Sequence, residues 1–129
     1  TAHDLFTSDF AVKNLIPNVS GAVFRKPALS QEEVARLHAY RFAGDWYFYA
    51  LVSRGGSIAF QRDAKSYFRK TQTSTSNTAF FSPRHVEEHQ MVLEDVHALH
   101  GLPVATVDAH IDELERVFMY AGPDCSQVD

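Results

Sequence analysis

Apolar residues recur at helical spacing over three stretches of the chain, and each stretch is flanked by residues that start and stop helices. Ser30-Gln31-Glu32-Glu33 has the pattern of a capping box, in which the Ser30 hydroxyl accepts the Glu33 amide proton and the Glu33 carboxylate reaches back to the Ser30 amide. A helix is predicted from there over 30–43. Ser82-Pro83 sets a favoured N-cap before a favoured first-turn proline, and Gly101 and Pro103 end the stretch, predicting a helix over 84–100. A third helix, over 106–121, repeats Val107, Ile111, Leu114, Val117, Phe118 and Ala121 and stops at Gly122-Pro123. Only a few residues join the last two, so they are expected to pack antiparallel along one apolar seam.

The remaining stretches are less regular. Trp46 to Val52 is a continuous apolar and aromatic run, which periodicity alone assigns neither to a buried strand nor to a buried helix. Ser53-Arg54-Gly55-Gly56 would turn a strand into an aromatic hairpin over 46–61, whereas Asp45 as a cap and Gly55 as a stop fit a short helix. Phe60, Ala64, Tyr67 and Phe68 have helical spacing up to Lys70, before a polar loop over 71–78. The first 29 residues are the least patterned, with a short helix through Phe10, Val12, Leu15 and Ile16 ended by Pro17 and an extended connector over 21–27. The expected fold is mainly α, a single compact helical domain over 1–129, with α+β as the alternative if the hairpin forms.

Composition changes this picture little. A chain of 129 residues suits one domain, and 45% hydrophobic with 22% charged residues excludes a disordered tail. No apolar run approaches the roughly 18 residues of a membrane-spanning helix, and Thr1-Ala2-His3-Asp4 does not open a signal peptide, so a soluble, cytoplasmic protein is expected. The single cysteine, Cys125, cannot form an intrachain disulfide and reads as an inert thiol.

Charge is more informative, because the formal net charge of −4 is unevenly spread. Residues 1–72 carry ten Lys/Arg against six Asp/Glu, and residues 73–129 carry two against ten. The two halves attract each other within one domain, or offer complementary faces to a second copy or to a charged protein partner. Arg62, Lys65, Arg69 and Lys70, with Tyr67 and Phe68 between, superficially suit a nucleic-acid backbone, but the same spacing makes an ordinary amphipathic helix, and the acidic pI near 5.9 argues against nucleic acid.

The unusual feature is the histidines. On a helical wheel of 85–100, His85, His89, His97 and His100 share a side with Val86, Val92, Leu93, Val96 and Leu99, while Glu87, Glu94, Asp95 and Ala98 face away. His110 projects beside Val107, Leu114 and Val117, and His38 lies near Val34 and Leu37. Inward imidazoles must recover the hydrogen bonds lost with water, through protein groups or a metal. His85 and His89 are four apart, His97 and His100 three apart, so each pair shares a face on which one ion can be held. His85, His89, His97, His100 and His110 are the candidate ligands of a transition metal (zinc, iron or copper) or of haem between the last two helices. Glu88, Glu94 and Glu113 offer carboxylates, and Glu94 to His97 matches half of a di-iron motif whose second half is missing. Packed core histidines are the alternative, and charging several below about pH 6 would force the helices apart.

No phosphate loop, dinucleotide turn, His-Glu-x-x-His helix or nucleophile elbow is present. Arg25, then Ser74-Thr75-Ser76, then Glu113-Leu114-Glu115 follow one another in an order that resembles the NAD-dependent ADP-ribosyltransferases. That resemblance would imply an Arg on the dinucleotide, a Ser motif shaping its pocket and a catalytic Glu, although here the Ser triplet falls in a polar loop and the glutamates on the outer side of a helix. Tyr40, Trp46, Tyr47 and Tyr49 suit either an aromatic pocket or a core. A metal-binding or haem-binding helical protein is the main reading, with a non-enzymatic interaction or regulatory domain as the alternative. From the charge split a homodimer is expected in sedimentation at high protein concentration and low salt; a monomer under those conditions removes the idea.

Overall fold

The computed structural model describes residues 1–16, 18–65, 67 and 82–121, with side chains up to Arg116. Among the described residues six α-helices follow one another: α1 (Ala2–Phe6), α2 (Asp9–Val12), α3 (Gln31–Ala39), α4 (Gly44–Ser53), α5 (Pro83–His100) and α6 (Val104–Ala121). A 3-10 turn lies at Val19–Gly21, and no strand occurs among the described residues. The fold is mainly α, as the periodicity predicts. No described helix is long and apolar enough to cross a membrane.

Helix ends follow the capping chemistry of the sequence. The Ser30 hydroxyl accepts from the Glu33 amide at 3.1 Å while Glu33 accepts from the Ser30 amide at 2.8 Å, starting α3. Ser82 accepts from the His85 amide with Pro83 in the first turn, and α5 ends at Gly101 with φ +66°, a left-handed conformation that glycine adopts without steric cost. The predicted helix over 30–43 is shorter than expected, because the chain bends at residues 40–43.

That bend is organised by Glu88. Its side chain is 0% exposed and accepts from three successive backbone amides, Arg41 (2.8 Å), Phe42 (2.7 Å) and Ala43 (2.9 Å), and from the Arg84 guanidinium (2.9 Å). Burial alone would raise its pKa; the amides and Arg84 outweigh it and hold the carboxyl below its ordinary value. The amides lead straight into Gly44, the first residue of α4, where an added Cβ would lie 3.1 Å from the Tyr40 Cβ.

The aromatic run is therefore a helix, and the hairpin over 46–61 is corrected. Trp46, Tyr47, Tyr49, Ala50 and Leu51 of α4 are all buried, and both α3 and α5 pack against it. A helix buried nearly all round has no polar stripe, so its period is hidden. The helix expected from Phe60 is absent as far as it is described: residues 57–65 are exposed and irregular, and most of 66–81, including Arg69 and Lys70, lies outside the described residues, as does Cys125.

The core is Ala2, Phe6, Phe10, Ala11, Ala43, Trp46, Tyr49, Ala50, Val92, Val96 and Leu102, with Val107 and Leu99 against it. Four of these residues belong to α1 and α2. Helix α6 lies more extensively along α2 than along α5, so the seam expected between the last two helices is shared with the N-terminal segment. Thr106 Oγ1 donates to the Thr7 carbonyl at 2.7 Å, and the Trp46 indole N–H donates to the Phe10 carbonyl at 2.7 Å. The basic front of the chain meets its acidic back at Arg36, whose Nε lies 2.9 and 3.1 Å from the Asp95 oxygens.

Replacing Glu88 by Gln leaves buried amides facing an amide group and removes the charge paired with Arg84 Nε, although Arg84 keeps the Ala39 carbonyl and Glu87. Urea unfolding is expected to show a loss of about 3 kcal/mol, against less than about 0.5 kcal/mol for Glu87→Gln one position away on the exposed face.

Candidate metal centre

Three of the five candidate histidines converge. His85 and His89, one turn apart on α5, have Nε2 atoms 3.2 Å apart and ring centroids 4.4 Å apart. His110, on α6, has its ring centroid 5.9 Å from that of His89. Trp46 closes the group from α4, stacked on His110 at 5.6 Å and 22° and edge-on to His89 at 5.4 Å. Four aromatic rings from three helices thus meet at one place.

The hydrogen bonds of His110 fix its tautomer. Its Nδ1 lies against the Ala11 carbonyl, and because a carbonyl only accepts, Nδ1 carries the proton. Nε2 then presents a lone pair, buried in a residue 1% exposed and without a hydrogen-bond partner among the described residues. Such an atom forfeits its hydration with nothing in return. Metal-ligating histidines characteristically hold a backbone carbonyl or carboxylate with the nitrogen that does not face the ion.

Distances can be compared with those of a formed site. Bonds of roughly 2.0–2.1 Å at tetrahedral angles separate two ligand nitrogens by about 3.3 Å, close to the His85–His89 spacing. Two imidazoles on one tetrahedral ion have centroids roughly 5 Å apart, so His110 stands about 1 Å further out. Among the described residues no group of three or more His, Cys, Asp or Glu is already drawn together tightly enough to hold an ion.

Burial lowers the pKa of all three rings. His89 is pushed down to about 4, by burial first and then by the neighbouring His85 and His110. Burial also lowers His85 against the pull of Glu88, and His110 against its bond to Ala11. Near neutral pH all three are uncharged imidazoles, the form that binds metals.

His97 and His100 lie elsewhere. His97 is exposed, and its Nδ1 accepts from the Leu102 amide at 3.0 Å, capping the end of α5. His100 stacks on Phe6 at 4.7 Å and 7°, with Nε2 3.3 Å from the Ala50 carbonyl, and is a core residue. His38 is exposed rather than inward. The wheel erred at His97 because α5 ends one turn later, where the chain turns away and uncovers that side.

The carboxylates are engaged otherwise. Glu88 is spent on backbone amides and Arg84, Glu94 is exposed, and Glu113 holds Arg116 through two contacts of 2.7 Å. Arg25 is exposed and not on a strand, and Ser74-Thr75-Ser76 lies outside the described residues, so the order resembling ADP-ribosyltransferases gains no geometry. Tyr40, Trp46, Tyr47 and Tyr49 pack against neighbouring side chains: Tyr40 lies near Tyr47 and donates to Asp95. Sequence reasoning missed Trp46 as a neighbour of the histidines, and the Ala11 carbonyl leaves no trace in residue type. Compared with known proteins, the chain matches no family model, no curated protein and no solved structure.

Depressed histidine pKa values make stability depend on pH. The unfolded chain binds protons below about pH 6.5 while the folded rings resist, so stability is full above that pH and falls as pH drops toward about 4. For metal-free protein, His89 alone is expected to cost about 2 kcal/mol between pH 7 and pH 5. Thermal unfolding followed by circular dichroism should show the fall, and His89→Gln should make it shallower while His85 and His110 keep part of it.

Proposed function

We propose that this protein binds a first-row transition-metal ion, zinc, iron or copper, through His85, His89 and His110. The observation that carries the reading is the 3.2 Å pair of Nε2 atoms beside a buried His110 whose Nε2 has no partner among the described residues. Three neutral nitrogen donors suit borderline metals better than calcium or magnesium, which favour oxygen. An ion is favoured over haem, because the three imidazoles and the Trp46 indole lie at ring-contact distances that leave no width for a macrocycle. A reducing compartment belongs to the same reading on the strength of the single Cys125.

A second reading, an interaction domain without a cofactor, is supported by Val23, Phe60 and Tyr67, large apolar side chains that stand almost fully exposed. Self-association through the oppositely charged halves belongs with it.

Trp46 is the only tryptophan in the chain, so its fluorescence reports on this site alone. Titration of untagged, metal-stripped protein with Zn²⁺ and Cu²⁺ is expected to give one ion per chain by calorimetry, with quenching by Cu²⁺. His89→Ala and His110→Ala should weaken binding by at least the roughly 10- to 100-fold that even outer-shell losses cost, while His97→Ala leaves it unchanged. Absence of binding, with no change in thermal stability on adding zinc, copper or haem, would leave the interaction domain in front.

A further inference from the structure

The two side chains that frame the metal centre also hold the N-terminal segment in place. His110 meets the Ala11 carbonyl through Nδ1, and Trp46 donates its indole N–H to the Phe10 carbonyl one residue earlier. Both carbonyls lie in the last turn of α2, where helix geometry leaves acceptors without intrahelical donors. His110 thus serves the segment with one nitrogen and keeps the other, without a partner among the described residues, in a ring 5.9 Å from His89, while Trp46 stacks on it.

We infer that ion binding at this centre and the seating of residues 2–12 in the core are thermodynamically linked through His110 and Trp46. The linkage rests on the metal reading above. Ligation at Nε2 withdraws electron density from the imidazole, makes Nδ1–H a stronger donor and tightens its bond to the Ala11 carbonyl. In the other direction, the seated segment fixes the tautomer that leaves the Nε2 lone pair available. A coupling free energy is reciprocal, so whatever factor the ion adds to seating, seating adds to ion affinity. Trp46 is in this sense a positioning residue, since it orients His110 without being a ligand.

Thr106 offers a handle that touches no ligand. Its hydroxyl anchors the Thr7 carbonyl at 2.7 Å, one turn before His110, and Thr106→Val keeps the shape while removing the donor. The experiment uses the full chain with Zn²⁺ as the probe, combining calorimetry with amide hydrogen exchange read by mass spectrometry. The expected result is that Zn²⁺ slows exchange in residues 2–13 by roughly 5-fold or more beyond any change in α3, and that Thr106→Val and Trp46→Phe each weaken Zn²⁺ binding while speeding exchange of that segment. Zn²⁺ binding without selective slowing of residues 2–13 overturns the linkage and leaves the metal reading standing. So does Thr106→Val that loosens the segment yet binds Zn²⁺ as tightly as the parent. If Zn²⁺ does not bind at all, both fall together, and calorimetry alone shows it.

Discussion

A carboxylate with no access to water is tolerable only when its lone pairs are all engaged, and Glu88 meets that condition by gathering three consecutive amides and a guanidinium. Those amides belong to the bend that ends α3 and begins α4, so one side chain on α5 determines where α4 starts and at what angle it leaves. The position of Trp46, two residues into α4, follows. So does the meeting of Trp46 with His89, which stands beside Glu88 on α5, and with His110. Removing the charge would disturb the bend, the aromatic helix and the histidine cluster together.

How much of this is legible in the sequence depends on whether the deciding interactions are local. The capping box at Ser30, the Ser82-Pro83 start and the Gly101 stop act between residues three or four apart, and each is found where its pattern predicts. Helix α4 is decided by Glu88, more than forty residues away, so its own residues leave strand and helix open. The N-terminal segment is read as the least patterned part of the chain, and it supplies Ala2, Phe6, Phe10 and Ala11 to the core. Helices of five and four residues are too short to show a period, and their stability comes from what they are packed against.

The histidines show the same division. Residue type alone makes them equivalent, yet they take up three roles: His97 caps a helix end, His100 packs as an aromatic ring against Phe6, and His85, His89 and His110 form the cluster. Spacing of four residues puts the rings of His85 and His89 side by side. His97 and His100, three apart in the last turn of α5, do not meet: His97 accepts from the Leu102 amide just beyond the helix, while His100 stacks on Phe6.

Two contacts that seat the N-terminal segment, Thr106 to Thr7 and His110 to Ala11, each join residues 99 positions apart in the sequence. Local helices gain little from one another until such a loop has closed, and closing it costs chain entropy that no short-range contact offsets. Residues 2–12 are therefore made well before the partners that seat them: the Thr7 and Ala11 carbonyls wait until Thr106 and His110 have been translated. During synthesis Phe6 and Phe10, core residues of the finished fold, await the packing of α6 on α2, and the time taken to translate the intervening residues sets the shortest interval for which they wait.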